Sequence, residues 1–96
     1  MATVRRLVID VLKPHDPDIV EFTERVSELD DVGGVTSSLI ELDEEVQNVK
    51  LTFEGESLDV AAVEAAVEEL GGTVHSVDQV ACGEHVVTDR PTLQDP

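Results

Sequence analysis

Residues 48–74, NVKLTFEGESLDVAAVEAAVEELGGTV, carry the reading on which the fold turns. Val49, Leu51 and Phe53 alternate with Asn48, Lys50 and Thr52, the two-residue period of a half-buried strand, here expected over about Asn48–Glu54. Gly55-Glu56-Ser57 is a loop by composition. Asp59 is placed to cap a helix, with Leu58 and Val63 at the two positions of a hydrophobic staple. Val60, Val63, Val67 and Leu70 then form a stripe at helical spacing, with Ala62 and Ala66 beside it. Gly71-Gly72 ends the helix, because glycine takes the left-handed position after a helix without steric cost. A further strand opens at about Thr73, so the stretch reads strand, helix, strand.

Moving outward, the preceding half repeats that order. Thr3–Leu12 reads as a strand with Leu7, Ile9 and Val11 toward a core and Arg6, Val8, Asp10 and Leu12 on the other face. Val8 and Leu12 leave that other face only partly polar, which suggests a neighbouring subunit over it. Lys13-Pro14-His15-Asp16-Pro17 is expected to break the strand, since proline disfavours helical geometry in the residue before it. Asp16 is expected to cap the first helix with Pro17 at its first position. That helix is expected to run to about Leu29, burying Ile19, Phe22, Val26 and Leu29 and leaving Glu21, Glu24 and Glu28 in water. Asp30-Asp31 and Gly33-Gly34 turn the chain into a strand over about Val35–Glu44. The run Leu39-Ile40-x-Leu42 breaks alternation there and implies a bulge or a switch of burial. The last strand is expected to run from Thr73 toward Val87, bending at Gly83.

Strand, helix, strand, strand, helix, strand is the split βαβ order of a ferredoxin-like βαββαβ sandwich, an α+β fold. It implies an antiparallel sheet in order 4-1-3-2 with two helices on one face and the other face open. Right-handed crossovers are expected to set the first and third strands side by side as a parallel pair. The chain of 96 residues fits one domain, expected over 1–88, with 89–96 as a flexible C-terminal tail holding two prolines.

Six Lys and Arg stand against 22 Asp and Glu, a formal charge of −16. Such a chain repels itself in dilute buffer. In molar salt the screening length falls to roughly 3 Å and the repulsion fades, so the composition points to a halophilic protein. The acids are spread along the polar sides of regular elements. With no basic patch, neither nucleic acid nor an anionic membrane is expected as partner. Cys82 is the single cysteine, which precludes an internal disulfide, and as a strand residue it is expected to be a small buried hydrophobe. The absence of a basic, apolar leader or a long apolar run leads to an expected cytoplasmic location.

In this topology the end of the first strand lies beside the start of the fourth. That brings Lys13, His15 and Asp16 toward His75, Ser76 and Asp78, a candidate site for an anion, metal or small ligand with histidine as ligand or proton carrier. The competing reading is a surface turn whose polar groups satisfy strand and helix ends. Asp10 and Lys50 sit on neighbouring strands and are expected to pair across the open face. Glu41, Asp43, Glu44, Glu45 and Asn48 crowd the second strand and its hairpin, offering oxygen ligands of the type that hold Ca²⁺ or Mg²⁺, at a spacing that matches no EF-hand loop. In so acidic a chain such clusters also arise without a binding role. Nucleophilic catalysis finds little support: His75 and Ser76 diverge as strand neighbours, no Gly-rich phosphate loop precedes a helix, and Cys82 lacks an activating base.

The segments Val4-Arg5-Arg6-Leu7-Val8-Ile9-Asp10-Val11-Leu12-Lys13-Pro14-His15, Glu41-x-Asp43 followed by Asn48-Val49-Lys50, and Gly71-Gly72-x-Val74-His75-Ser76-Val77-Asp78 resemble the archaeal family called domain of unknown function 211. The resemblance spans roughly Val4–Val87. It implies a ferredoxin-like fold, ring-like homo-oligomers and bound divalent cations, and no established activity. Lys13, His15, His75 and Asp78 fall in the matching segments and are carried over as a candidate ligand site; Glu41, Asp43 and Glu44 are the candidate metal residues. The leading expectation is a non-catalytic oligomeric module that binds a divalent cation or small ligand. The alternatives are a regulatory sensor of the amino-acid-binding kind, and more weakly a small hydrolase or transferase using His15 and His75.

Overall fold

The alternation of Leu7, Ile9 and Val11 sets one face of the first strand into the protein, and the strand continues further than its proline suggests. In a computed structural model describing residues 2–87, the elements are β1 (Val4–Pro14), α1 (Ile19–Ser27), β2 (Gly34–Leu42), β3 (Val46–Glu54), α2 (Val60–Glu69) and β4 (Thr73–Cys82). Lys13 and Pro14 belong to β1 and oppose Gln47 and Val46 of β3. Pro14 is the strand's last residue, where a missing N–H costs the sheet little. The expected strand break there is thus displaced to His15.

The sheet order β2-β3-β1-β4 is the ferredoxin-like order. All three pairings are antiparallel, β1 with β3 included, which corrects the expected parallel pair. The physical reason is the hairpin: the crossover through α1 carries the chain to β2, two strands from β1, and the hairpin sends β3 back between them. A bulge falls between Leu39 and Glu41, where the broken alternation placed it. β4 ends at Cys82, short of Val87; Gly83 follows at φ +109° and donates its N–H to the Thr3 carbonyl at 2.9 Å. The expected tail over 89–96 lies outside the described residues.

Side chains from the same face of β1 and β3 meet both helices. Leu7, Ile9, Val11, Val49, Leu51 and Phe53 are fully buried against Phe22 and Val26 of α1 and Val63 and Val67 of α2. Helices of nine and ten residues are too short to persist alone, so this docking is what holds them. Burying each large apolar side chain is worth about 1.5–3 kcal/mol. The cap of α1 is Asp18, whose side chain accepts from the Glu21 N–H at 2.9 Å. Asp16, expected in that role, lies outside the helix because Pro17 and Asp18 precede the first helical turn. Asp59 caps α2 as expected, and Leu58 and Val63 are both buried beside it.

Besides Gly83, two glycines are required by geometry. Gly71 has φ +89° immediately after α2. At Gly55 a Cβ would collide with the Asp31 carbonyl oxygen, where the turns before β2 and after β3 cross.

The uncovered sheet face is more polar than its sequence suggests. Val8 is only 7% exposed, flanked across the sheet by Thr52 and Gln79. Apart from Val20 on α1 and Val87 beyond β4, the large exposed apolar side chains of the described residues lie on the two edge strands: Leu39, Ile40 and Leu42 on β2 and Val77 and Val80 on β4, each between 48% and 62% exposed. Cys82, expected to be buried, is exposed at the end of β4. No helix among the described residues is long and apolar enough to cross a membrane.

Candidate functional site

At the end of the open face where β1 finishes, Asp10, Leu12, Glu41, Asp43, Asn48 and His75 line a pocket of about 280 Å³. Register explains the gathering. Asp10 and Leu12 are outward positions of β1; Leu12 opposes Asn48 of β3, which opposes Glu41 of β2. On the other side, β4 bulges between the pairs Asp10↔Ser76 and Val11↔Val74, and His75 is the residue the bulge inserts. A bulge re-aims a side chain, and here it brings the imidazole to the pocket wall.

The polar contacts of this end are few and specific. The Asn48 amide Nδ2 donates to Asp10 Oδ1, fixing that carboxylate and orienting the asparagine. Asp10 opposes Lys50 in register, yet the two form no ion pair; Asp10 is held by Asn48 instead. His15 Nε2 donates to the Asp43 carbonyl at 2.9 Å, which requires the proton on Nε2 and ties the loop after β1 to the β2–β3 hairpin. Asp43 closes that hairpin: its N–H donates to the Val46 carbonyl at 3.0 Å, and its Oδ1 accepts from the Glu44 N–H at 2.7 Å.

The four residues of the expected ligand site are thereby divided. His15 and His75 both belong to this end, one on the hairpin backbone and one on the pocket wall. Lys13 is turned to the opposite face and is fully buried beneath α1. Its Nζ donates to the Pro14 carbonyl at 2.7 Å and to Gln47 Oε1 at 3.0 Å. Burial lowers the pKa of this amine, while Asp18 and Asp16 pull it back up. Asp78 lies three residues along β4 and accepts from the Ser76 hydroxyl at 2.8 Å. Of the expected metal residues, Glu41 and Asp43 line the pocket and Glu44 contributes its backbone N–H to Asp43. Among the described residues, no group of three or more His, Cys, Asp and Glu side chains is placed to hold a metal ion. A single copy therefore does not present a ready ligand shell for Ca²⁺ or Mg²⁺, which take six or more oxygens.

Asp10 and Asn48 are the pocket residues that a reading by sequence neighbourhood misses as partners. The signal for them is the antiparallel register itself, which sets the outward residues of β1 against those of β3.

The family model described as DUF211, uncharacterized ArCR, matches residues 5–96. The chain belongs to this family. A DUF211-like relative is found in Methanocaldococcus jannaschii. That uncharacterized protein is 40% identical over 95 residues, covering 99% of this chain and 98% of its own length. The DUF211 match spans the pocket at the end of β1, both edge strands and the hairpin, so all of the described sheet after Val4 is family territory.

Proposed function

We propose that this chain is a non-catalytic module that works as a ring-forming homo-oligomer, its copies joined edge to edge through β2 and β4. The observation that carries this reading is the exposed apolar edges. β2 presents Leu39, Ile40 and Leu42, and β4 presents Val77 and Val80. Nine- and ten-residue edge strands that pair on one side only among the described residues are templates for pairing. Native proteins blunt such edges with charged side chains, lysine above all, and with proline or bulges. Lysine and proline occur in neither Gly34–Leu42 nor Thr73–Cys82, so these edges are guarded only by Glu41, Asp78 and the bulges of the two strands.

The two edges belong to opposite sides of one sheet. Pairing β2 of one copy with β4 of the next is a head-to-tail contact, which closes into a ring when the rotation between copies allows it. The experiment is light scattering in molar KCl. A multimer of defined mass supports the reading and a monodisperse monomer overturns it. The salt belongs to the proposal, because a formal charge of −16 per copy opposes assembly until it is screened.

The non-catalytic reading is supported by how two of the candidate acid–base groups are engaged, His75 being exposed on the pocket wall. Lys13 is enclosed, and His15 is committed to a backbone carbonyl. Binding of a divalent cation or small ligand is the role we assign to the pocket around Asp10, Glu41 and Asp43, with the ligand shell completed only on assembly. Calorimetric titration with Ca²⁺ and Mg²⁺, repeated at rising KCl, tests it. Heat that persists in molar KCl supports a specific site, and heat that vanishes marks diffuse attraction to an acidic surface.

A further inference from the structure

The other end of the open face holds a larger groove, about 750 Å³, between the outward residues of β1, β2 and β3. Its chemistry runs against the rest of the surface. In a chain with six Lys and Arg in all, two of them, Arg6 and Lys50, line this one groove. Between them stand the hydroxyls of Thr36 and Thr52, which face each other in register, with Ser38 opposite Lys50. Lys50 is exposed and forms no ion pair among the described residues. Arg6 Nε is buried without a hydrogen-bond partner among the described residues, a costly state for a guanidinium donor. Glu54, the one acid on the groove among the described residues, touches Arg6 Nη1 at 3.5 Å, a long contact on an exposed carboxylate. Asp10, the acid opposite Lys50, is held by Asn48.

From this arrangement we propose that the groove is a binding site for a small oxyanion, a phosphate or carboxylate group carried by a ligand, held between Arg6 and Lys50. Guanidinium and ammonium groups bind such oxygens through short charge-assisted hydrogen bonds, and the threonine hydroxyls supply neutral donors that fix orientation. Glu54 yields its long contact or remains at the rim. The negative charge of the chain does not forbid the site: in concentrated salt, charges more than a few ångströms from a bound anion are screened and the groups that touch it govern. Gly34 shapes the groove. It opposes Glu54 at the outer end, and a Cβ built on it meets nothing within 4 Å.

The test follows from those residues. The isotopically labelled full chain is titrated in molar KCl with inorganic phosphate and, separately, with citrate, and amide chemical shifts are followed. Saturable shifts are expected at Gly34, Thr36, Lys50 and Thr52. Saturation by phosphate alone or by citrate alone assigns the ligand's charged group. Loss of one charge-assisted contact in Lys50→Gln is expected to weaken the apparent affinity about tenfold. Gly34→Val fills the groove without touching either cation and is expected to abolish saturation, while its remaining spectrum reports an intact fold. Shifts that grow linearly without saturating overturn the proposal, as do shifts scattered over the acidic surface, an unchanged affinity in Lys50→Gln or saturation retained in Gly34→Val.

Discussion

The Lys13 ammonium lies 5.7 Å from the centroid of the Phe22 ring, within the layer between sheet and helices. The contact places a charge in the interior of a 96-residue protein, where among the described residues its hydrogen bonds go to the Pro14 carbonyl and Gln47 Oε1 and to no carboxylate. Burial lowers the pKa of this amine from 10.5, against the weaker pull of Asp18 and Asp16. A base whose folded pKa lies below its unfolded one penalises folding while both states are charged. The penalty lifts as pH rises through the folded pKa toward 10.5. Lys13→Met removes the titration and keeps the stem. Relative to that variant, the parent protein is expected to gain stability as pH climbs toward 10.5 and to show a constant difference near neutrality. Urea midpoints of both proteins across that range check it; a difference that does not change toward alkaline pH refutes it.

Asp16 and Asp18 flank Pro17, and only Asp18 accepts a hydrogen bond from the first turn of α1. Asp18→Ala is expected to cost about 1 kcal/mol, the usual value of an N-cap. Asp16→Ala, at an exposed position outside the helix, is expected to stay within about 0.5 kcal/mol. Equal losses in chemical denaturation would return the cap to Asp16.

Gly55→Ala addresses the crossing of two turns. The added methyl meets the Asp31 carbonyl oxygen, a backbone atom that cannot swing away like a side chain. A loss of about 1–3 kcal/mol is expected, the range for forcing a group into filled space. Gly34→Ala, where a Cβ meets nothing, serves as the matched control and is expected to be neutral or slightly stabilising. Thermal unfolding of the pair at one KCl concentration separates them.

The framework was legible because its signals are local and repeated. Leu7, Ile9 and Val11 against Val49, Leu51 and Phe53 define the buried face, and the stripes of Phe22–Val26 and Val63–Val67 cover it. What sequence could not show depends on contacts formed only by folding. Lys13-Pro14 reads as a break, yet the strand continues through it because Gln47 and Phe22 receive the lysine. Val8 reads as bare surface, yet strand neighbours cover it. The candidate site was half legible: His15, His75, Glu41 and Asp43 do gather at one end, whereas the face on which Lys13 falls and the role of Asn48 follow from register.

The edge strands allow a test of how copies join as well as whether they do. Leu42→Lys places a charge on the β2 edge and Val80→Lys places one on the β4 edge, both at exposed positions whose replacement spares the core. In a head-to-tail ring each variant retains one competent edge and loses the other, so each alone is expected to be monomeric. Mixing them pairs the intact β4 of Leu42→Lys with the intact β2 of Val80→Lys. The mixture is expected to form a dimer and go no further, because both remaining edges are blocked. An interface that used the same edge on both copies gives another pattern: one variant stays assembled alone and mixing adds nothing. Light scattering of each variant and of the equimolar mixture in molar KCl distinguishes the two. Assembly unchanged in both variants removes the edges from the interface altogether.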